Sequence, residues 1–437
     1  MWSSGEKPPN IRANLNPALQ VFTVSPLQAL PRRSRILQPR PQAIAKEGMP
    51  VLLSAAILAM VLGSIHAFSV LLIPLEARFD APRALVSATY SFALAALTLA
   101  VFLGHRVFET WPAARLVLAI GLTAAFGAGV AAMAPSLPFV WLGYSLLFGG
   151  ANGLGYGFGL QIASRANPGR EGMSMGIVTA AYALGSVIAP VLFAYALSHG
   201  GFQAAMLGLM TVLILASVAC ALLLRAASLA HAQKSDDMPK LKMRFGRLGV
   251  LWLGYGTGVA AGLMVIGHAA GIAASQSLDL AAWAAPVVIA LSNLTGSLIA
   301  GRLVDRLSPL WPLVVLPLIS VASVTVLAGV TSLGFLMLCL AGVGFSYGGL
   351  IAAYPAAIAK IYGAMDSSRI YGKVFTAWGS AGLVAPWLAG RLFDQTGAYQ
   401  TALWVAGALG LVSACAILAF SRLGGGGGPL LRNGRKV

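Results

Sequence analysis

Twelve stretches of predominantly apolar sequence, each about 20 residues and so long enough at 1.5 Å per residue to cross a bilayer as a helix, constrain this chain more than anything else in it. They fall at about 51–74, 84–104, 114–134, 138–163, 173–197, 203–224, 249–272, 281–301, 311–331, 334–359, 374–392 and 399–421. In hydrocarbon every backbone N–H and C=O needs a partner inside the protein, so such runs are expected to be helices. With 58% hydrophobic and 9% charged residues among 437, the chain has too little polar surface to clothe a soluble globule. It is expected to be a multi-pass, all-α membrane protein.

Charge placement tests that count. If both termini are cytoplasmic, 26 of the 29 Lys and Arg fall on cytoplasmic segments, leaving only Arg78, Arg83 and Arg391 outside. An odd number of spans destroys this asymmetry. The net charge of +17 is therefore assigned to loops facing anionic lipid, with membrane lipids as partners and no nucleic acid. Both termini are expected in the cytoplasm, with the chain in a bacterial inner (plasma) membrane. Cys220, Cys339 and Cys415 all lie in apolar runs and offer neither a disulfide framework nor metal-ligand spacing. No G-x-x-x-x-G-K-[ST] or H-E-x-x-H pattern is present. The expectation is no enzyme, no cofactor and no metal, with transport energy drawn from a gradient.

The segment Tyr371 to Tyr399 organises the rest. Glycines at 372, 379, 382 and 390 let a neighbouring helix approach, and Pro386 frees a carbonyl that only protein or a wet cavity can satisfy, so this is read as an inner helix. A diluted copy precedes it by 197 residues, with Thr179 matching Thr376, Gly185 matching Gly382 and Phe202-Gln203 matching Tyr399-Gln400. Pro190 and Pro386 are one residue out of step. The reading is a duplicated chain: a basic, proline-rich cytoplasmic tail over 1–49, a six-helix bundle over 50–224, a cytoplasmic linker over 225–247, a second bundle over 248–422 and a Gly-rich basic tail over 423–437. Parallel repeats of this kind place a substrate site between the halves near the midplane.

After the eighth run stands Gly301-Arg302-Leu303-Val304-Asp305-Arg306, which resembles the G-x-x-x-D-R loop motif of the major facilitator superfamily. A cytoplasmic gate is expected there, with Gly301 letting two helix ends meet and Asp305 and Arg306 latching them. The first-half counterpart, Gly104-His105-Arg106-Val107-Phe108-Glu109-Thr110, is degraded, with Glu109 one place late. His66-Ala67-Phe68-Ser69-Val70, Gly153-x-Gly155-Tyr156-Gly157, Gly262 to His268, Tyr354-Pro355 and Tyr371 to Tyr399 are similar to the oxalate/formate antiporter branch of that superfamily. The resemblance covers about 50–422. It implies the major facilitator fold of twelve helices in two pseudo-symmetric six-helix bundles, and a transporter of small organic anions by alternating access.

Two departures bear on the substrate. The branch often has an arginine where this chain has Ser297, and its oxalate exchangers have a lysine where this chain has Trp378. A dianion without counter-charges meets a severe desolvation cost. A monocarboxylate is therefore expected, carried with a proton or exchanged for a counter-anion. An exporter of drugs or neutral metabolites, and a non-transporting sensor, stay open. His66 and His268 are the ionisable groups placed well inside the runs and are the proton-coupling candidates, against the alternative of neutral imidazoles bonded to carbonyls. With them, Tyr90, Asn152, Tyr156, Tyr182, Asn293, Ser297, Tyr347, Tyr354 and Trp378 are the candidate substrate-binding residues, since a pocket needs a few polar groups in apolar walls. Glu76, Asp279 and Asp394 are expected as solvated charges at outer helix ends, and Lys360 and Lys373 as side chains that snorkel to headgroups.

Overall fold

Helix breakers divide the chain more finely than hydropathy does. The computed structural model describes residues 41–108, 110–166, 171–227, 245–276, 281–306, 308–330, 332–362 and 364–422, and all regular structure among them is helical. The first run is α1 (Pro41–Leu62), a 3-10 segment (Gly63–Ala67) and α2 (Ser69–Phe79). Then come α3 (Arg83–Phe108) and α4 (Ala113–Ala132). The fourth run starts as α5 (Leu137–Val140), passes through a π-helical stretch (Trp141–Phe148) and continues as α6 (Gly149–Ala166). The fifth and sixth share α7 (Glu171–Ala226), broken at Gly200 and at Gly201, whose φ of +64° is left-handed. Only glycine adopts that conformation without steric cost, and the chain turns back there.

The second half repeats the plan. α8 (Phe245–Ile266) and α9 (Ala269–Ser275) form the seventh run, interrupted at His268. α10 (Ala284–Arg306), α11 (Trp311–Leu327), α12 (Leu333–Tyr362), α13 (Ala364–Thr396) and α14 (Gln400–Arg422) complete twelve crossings. Among the described residues eight helices are long and apolar enough by themselves to cross a membrane, and α7 supplies two crossings. The other crossings are the π-interrupted α5–α6, the short α11, and α13, which carries Lys373, Arg391 and Asp394.

The duplication is visible in the packing. Gly149 and Gly153 of α6 press on the backbone of Ala93 and Leu97 in α3, and Gly344 and Gly348 of α12 press on Ile289 and Asn293 in α10. Both are G-x-x-x-G pairs, which let backbones approach where lipid offers no hydrophobic drive for association. Between the halves α3 lies along α13, the first half of α7 along α10, and α2 touches α9. Of the four glycines in the organising segment, Gly379, Gly382 and Gly390 meet Thr98, Leu94 and Ala84 of α3, while Gly372 faces open space.

Two expectations about helix ends are corrected, those for Lys360 and Glu76. At the expected cytoplasmic gate, a Cβ at Gly301 would meet nothing within 4 Å among the described residues. Arg306 is exposed, Asp305 is described only as part of the helical backbone, and Glu109 lies outside the described residues. Lys360 does not reach out to headgroups; its ammonium donates to the Val304 carbonyl at 2.8 Å, capping the C-terminal turn of α10. Glu76 is half-buried and hydrogen-bonded rather than solvated, while Asp394 is exposed and hydrogen-bonded as well, as described below. Asp279, residues 1–40 and residues 423–437 lie outside the described residues, and 41–49, read as tail, form the start of α1.

Candidate functional site

Breaks in helical hydrogen bonding create the site. At the end of α1 the chain tightens into the 3-10 segment, so the Leu62 carbonyl takes a partner from outside its own helix: the side-chain amide of Asn152 on α6. Asn152 is fully buried, and its carbonyl oxygen accepts the Tyr182 hydroxyl at 3.0 Å. Tyr182 stands edge-on to the His66 ring at 5.6 Å and packs against Tyr156 at 4.9 Å. His66 Nδ1 lies 2.6 Å from the Tyr90 hydroxyl. Five residues singled out in the sequence, His66, Tyr90, Asn152, Tyr156 and Tyr182, thus form one connected cluster in the first half.

Facing them, the second half presents a shorter chain of contacts. Trp378 of α13 stacks on Phe375 and donates its indole N–H to the Tyr347 hydroxyl at 2.9 Å. Ser297 donates to the Gly348 carbonyl at 2.9 Å, a bond that ties α10 to α12 beside Asn293. Between the two sets lies a narrow cleft, with a cavity volume of about 10 Å³, lined by His66, Ser186, Ile266, Pro286, Ile289, Ala290, Asn293 and Tyr347. None of the lining residues is Lys, Arg, Asp or Glu.

Two candidates lie elsewhere. Tyr354 is buried within the second half, its ring 4.3 Å from that of Tyr255. His268 is fully buried at the α8–α9 break, among Ser87, Pro386 and Tyr399. Its tautomer follows from its partners, because a carbonyl only accepts: Nε2–H donates to the Pro386 oxygen at 2.8 Å, and Nδ1 accepts the Tyr399 O–H at 3.1 Å. Ser186 and the apolar wall from Ile266 to Ala290 were missed in the sequence. Small and aliphatic residues carry no chemical signal there, though Ser186 follows the flagged Gly185.

The Major Facilitator Superfamily family model matches residues 51–309, more than half of the chain. The chain belongs to the major facilitator superfamily. Its relatives in that superfamily include the uncharacterized MFS-type transporter YhjX of Escherichia coli, 27% identical over 75% of this chain and 84% of that one. Monocarboxylate transporter 13 of Rattus norvegicus is 29% identical over 80% of this chain and 83% of its own. Among solved structures, a peptide transporter POT in complex with sulfate superposes with a TM-score of 0.70 at 14% identity, covering 88% of this chain and 99% of that one. A D-xylose-proton symporter gives 0.66 at 14% identity, covering 85% and 97%. At such identities the structures establish the shared major facilitator fold and no more.

Proposed function

We propose that this chain moves small organic acids bearing one carboxyl group through the central cleft, either with a proton or in exchange for another anion. As a major facilitator it is a multi-pass membrane transporter whose fold works by alternating access. The observation that carries the finer reading is the cleft wall, which offers a histidine, an asparagine, a tyrosine and a serine but no fixed charge. A bare dicarboxylate there would be desolvated without a counter-ion. One carboxyl group is accommodated when it brings its proton, or when His66 holds that proton. Either neutral tautomer of His66 leaves Nε2 free to face the solute, since Nδ1 is engaged by Tyr90.

The two missing family cations point the same way. Ser297 and Trp378 occupy those positions, and both are committed to neighbours, Gly348 and Tyr347. The name of the rat relative, a monocarboxylate transporter, supports the class. A second reading, export of neutral metabolites or drugs, draws on the same uncharged wall. By the placement of Lys and Arg, the termini and the 225–247 linker between the two bundles are cytoplasmic, and the Arg83 end of the molecule faces outward.

Counterflow in proteoliposomes tests this. Vesicles loaded with unlabelled lactate or formate are expected to accumulate the labelled acid, and oxalate is expected to compete poorly. Exchange restricted to uncharged amphiphiles would replace the carboxylate reading with the second one.

A further inference from the structure

The hydrogen bonds between the two halves, among the described residues, all leave from one stretch of α3, Arg83 to Ser91. The Asp394 carboxylate of α13 accepts the backbone N–H of Arg83 at 2.9 Å and of Ala84 at 2.8 Å. Those are the first residues of α3, whose N–H groups have no partner within their own helix. A carboxylate there also meets the positive end of the helix dipole. One half therefore supplies the N-terminal cap of a helix in the other.

The Arg83 side chain spans the same seam. Its guanidinium lies over the Phe393 ring, 3.8 Å from the centroid, and donates to the Tyr399 hydroxyl at 3.0 Å. It also forks onto Glu76 of α2, with Nη2 to Oε2 at 2.7 Å. The Arg83 and Glu76 side chains are only 12% and 18% exposed, so this pair is not the freely solvated kind that contributes little. Tyr399 in turn donates to His268, whose other nitrogen is bound to the Pro386 carbonyl. Gly390 lies against the Arg83 carbonyl and the Ala84 Cα, so there is no room for slack between the two backbones. The Asp394 cap, the Arg83 contacts with Tyr399 and Phe393 and the close approach at Gly390 all cross the seam, and they are lost if α3 and α13 separate at this end.

We propose that Asp394, Arg83 and Tyr399 are the latch that keeps the two halves closed at the Arg83 end, with Glu76 as the positioning residue for the guanidinium. The proposal concerns which end of the cleft is open and holds whatever the solute is. Opening there requires the trans cap and the Arg83–Tyr399 bond to break together, which makes the closed end a discrete state.

The test places a reporter in the cleft. In a chain whose Cys220, Cys339 and Cys415 are changed to Ala, Ala290→Cys is labelled with a membrane-impermeant maleimide, applied to intact cells and, separately, to inside-out vesicles. Asp394→Asn, which loses the charge and half of the acceptor capacity, and Arg83→Gln are each expected to raise labelling from the Arg83 side about tenfold, the scale of one or two charge-assisted hydrogen bonds. Labelling from the opposite side is expected to fall. Unchanged labelling from the Arg83 side in both variants, each verified as monodisperse, overturns the latch. So does an equal rise from both sides. Because no solute is needed, these outcomes are independent of counterflow.

Discussion

The Tyr90 hydroxyl sits 2.6 Å from Nδ1 of His66, joining α3 to the 3-10 break in the first crossing and leaving Nε2 of that imidazole toward the cleft. A histidine titrates near pH 6.5 in water, so a ring that exchanges a proton with a carboxylic solute links uptake to the pH gradient. His66→Gln keeps a polar side chain of similar reach but cannot be protonated. It is expected to retain counterflow while losing the stimulation of net uptake by an imposed acid-outside gradient. Tyr90→Phe, which frees Nδ1, is expected to reduce that stimulation without removing it. If His66→Gln keeps the full pH dependence, the proton travels on the solute alone.

Much of this was legible from residue order, and the reasons differ by feature. Hydropathy and Lys/Arg placement revealed twelve crossings because lipid forbids unsatisfied backbone, a constraint that acts on whole segments. Glycine spacing revealed the close face of α13, since only a missing side chain admits α3 at Gly379, Gly382 and Gly390. Individual charges were not legible. Asp394 reads as an ordinary polar helix end until the fold brings it to α3, which lies about 310 residues earlier in the chain. The outer basic residues were nevertheless a usable signal. Arg78 and Arg83 break the inside bias, and both are held in place: Arg78 donates to the Ala134 carbonyl between Phe79 and Phe202, and Arg83 fastens the seam.

Trp378 offers a prediction about affinity. Its indole N–H orients the Tyr347 hydroxyl, and Tyr347 lines the cleft whereas Trp378 does not. Trp378→Phe removes the donor and keeps an aromatic ring against Phe375. A hydrogen bond of this kind contributes about 1 kcal/mol, so KM is expected to rise about fivefold with the maximal rate little changed. Tyr347→Phe is expected to do the same, and the double variant to add nothing beyond either one, because both remove a single interaction. Fully additive effects in transport assays would show that the two residues act separately.

The repeated glycine pairs predict where stability is concentrated. A Cβ at Gly149 would lie 2.7 Å from the Ala93 carbonyl oxygen, and Gly344 meets Ile289 in the matching place. Gly149→Val and Gly344→Val are each expected to cost about 1–3 kcal/mol through forced separation of the helices. Thermal unfolding in detergent measures this. Gly176→Val, at a glycine that faces open space in the same bundle as Gly149, is the control and is expected to leave the midpoint unchanged. A larger loss at Gly176 would mean that helix propensity, not helix approach, sets the penalty.

Asn152 separates a role in folding from a role in binding. It is fully buried, donates to the Leu62 carbonyl at the point where α1 gives way to the 3-10 segment, and accepts from Tyr182. Asn152→Ala leaves two buried groups without partners, an expected loss of about 2 kcal/mol or more, although bonds between membrane helices often measure smaller. Tyr182→Phe removes one hydroxyl and leaves the Asn152–Leu62 bond intact, so its cost is expected to be less than half as large. His66 lies four residues beyond Leu62 on the same tightened segment, and releasing the Leu62 carbonyl lets that segment relax toward regular helix. Asn152→Ala is therefore expected to weaken solute affinity as well as lower the unfolding midpoint, while Tyr182→Phe shifts affinity with little change in midpoint. Equal destabilisation by the two substitutions would place the weight of the cluster on the tyrosine rather than on the carbonyl that Asn152 holds.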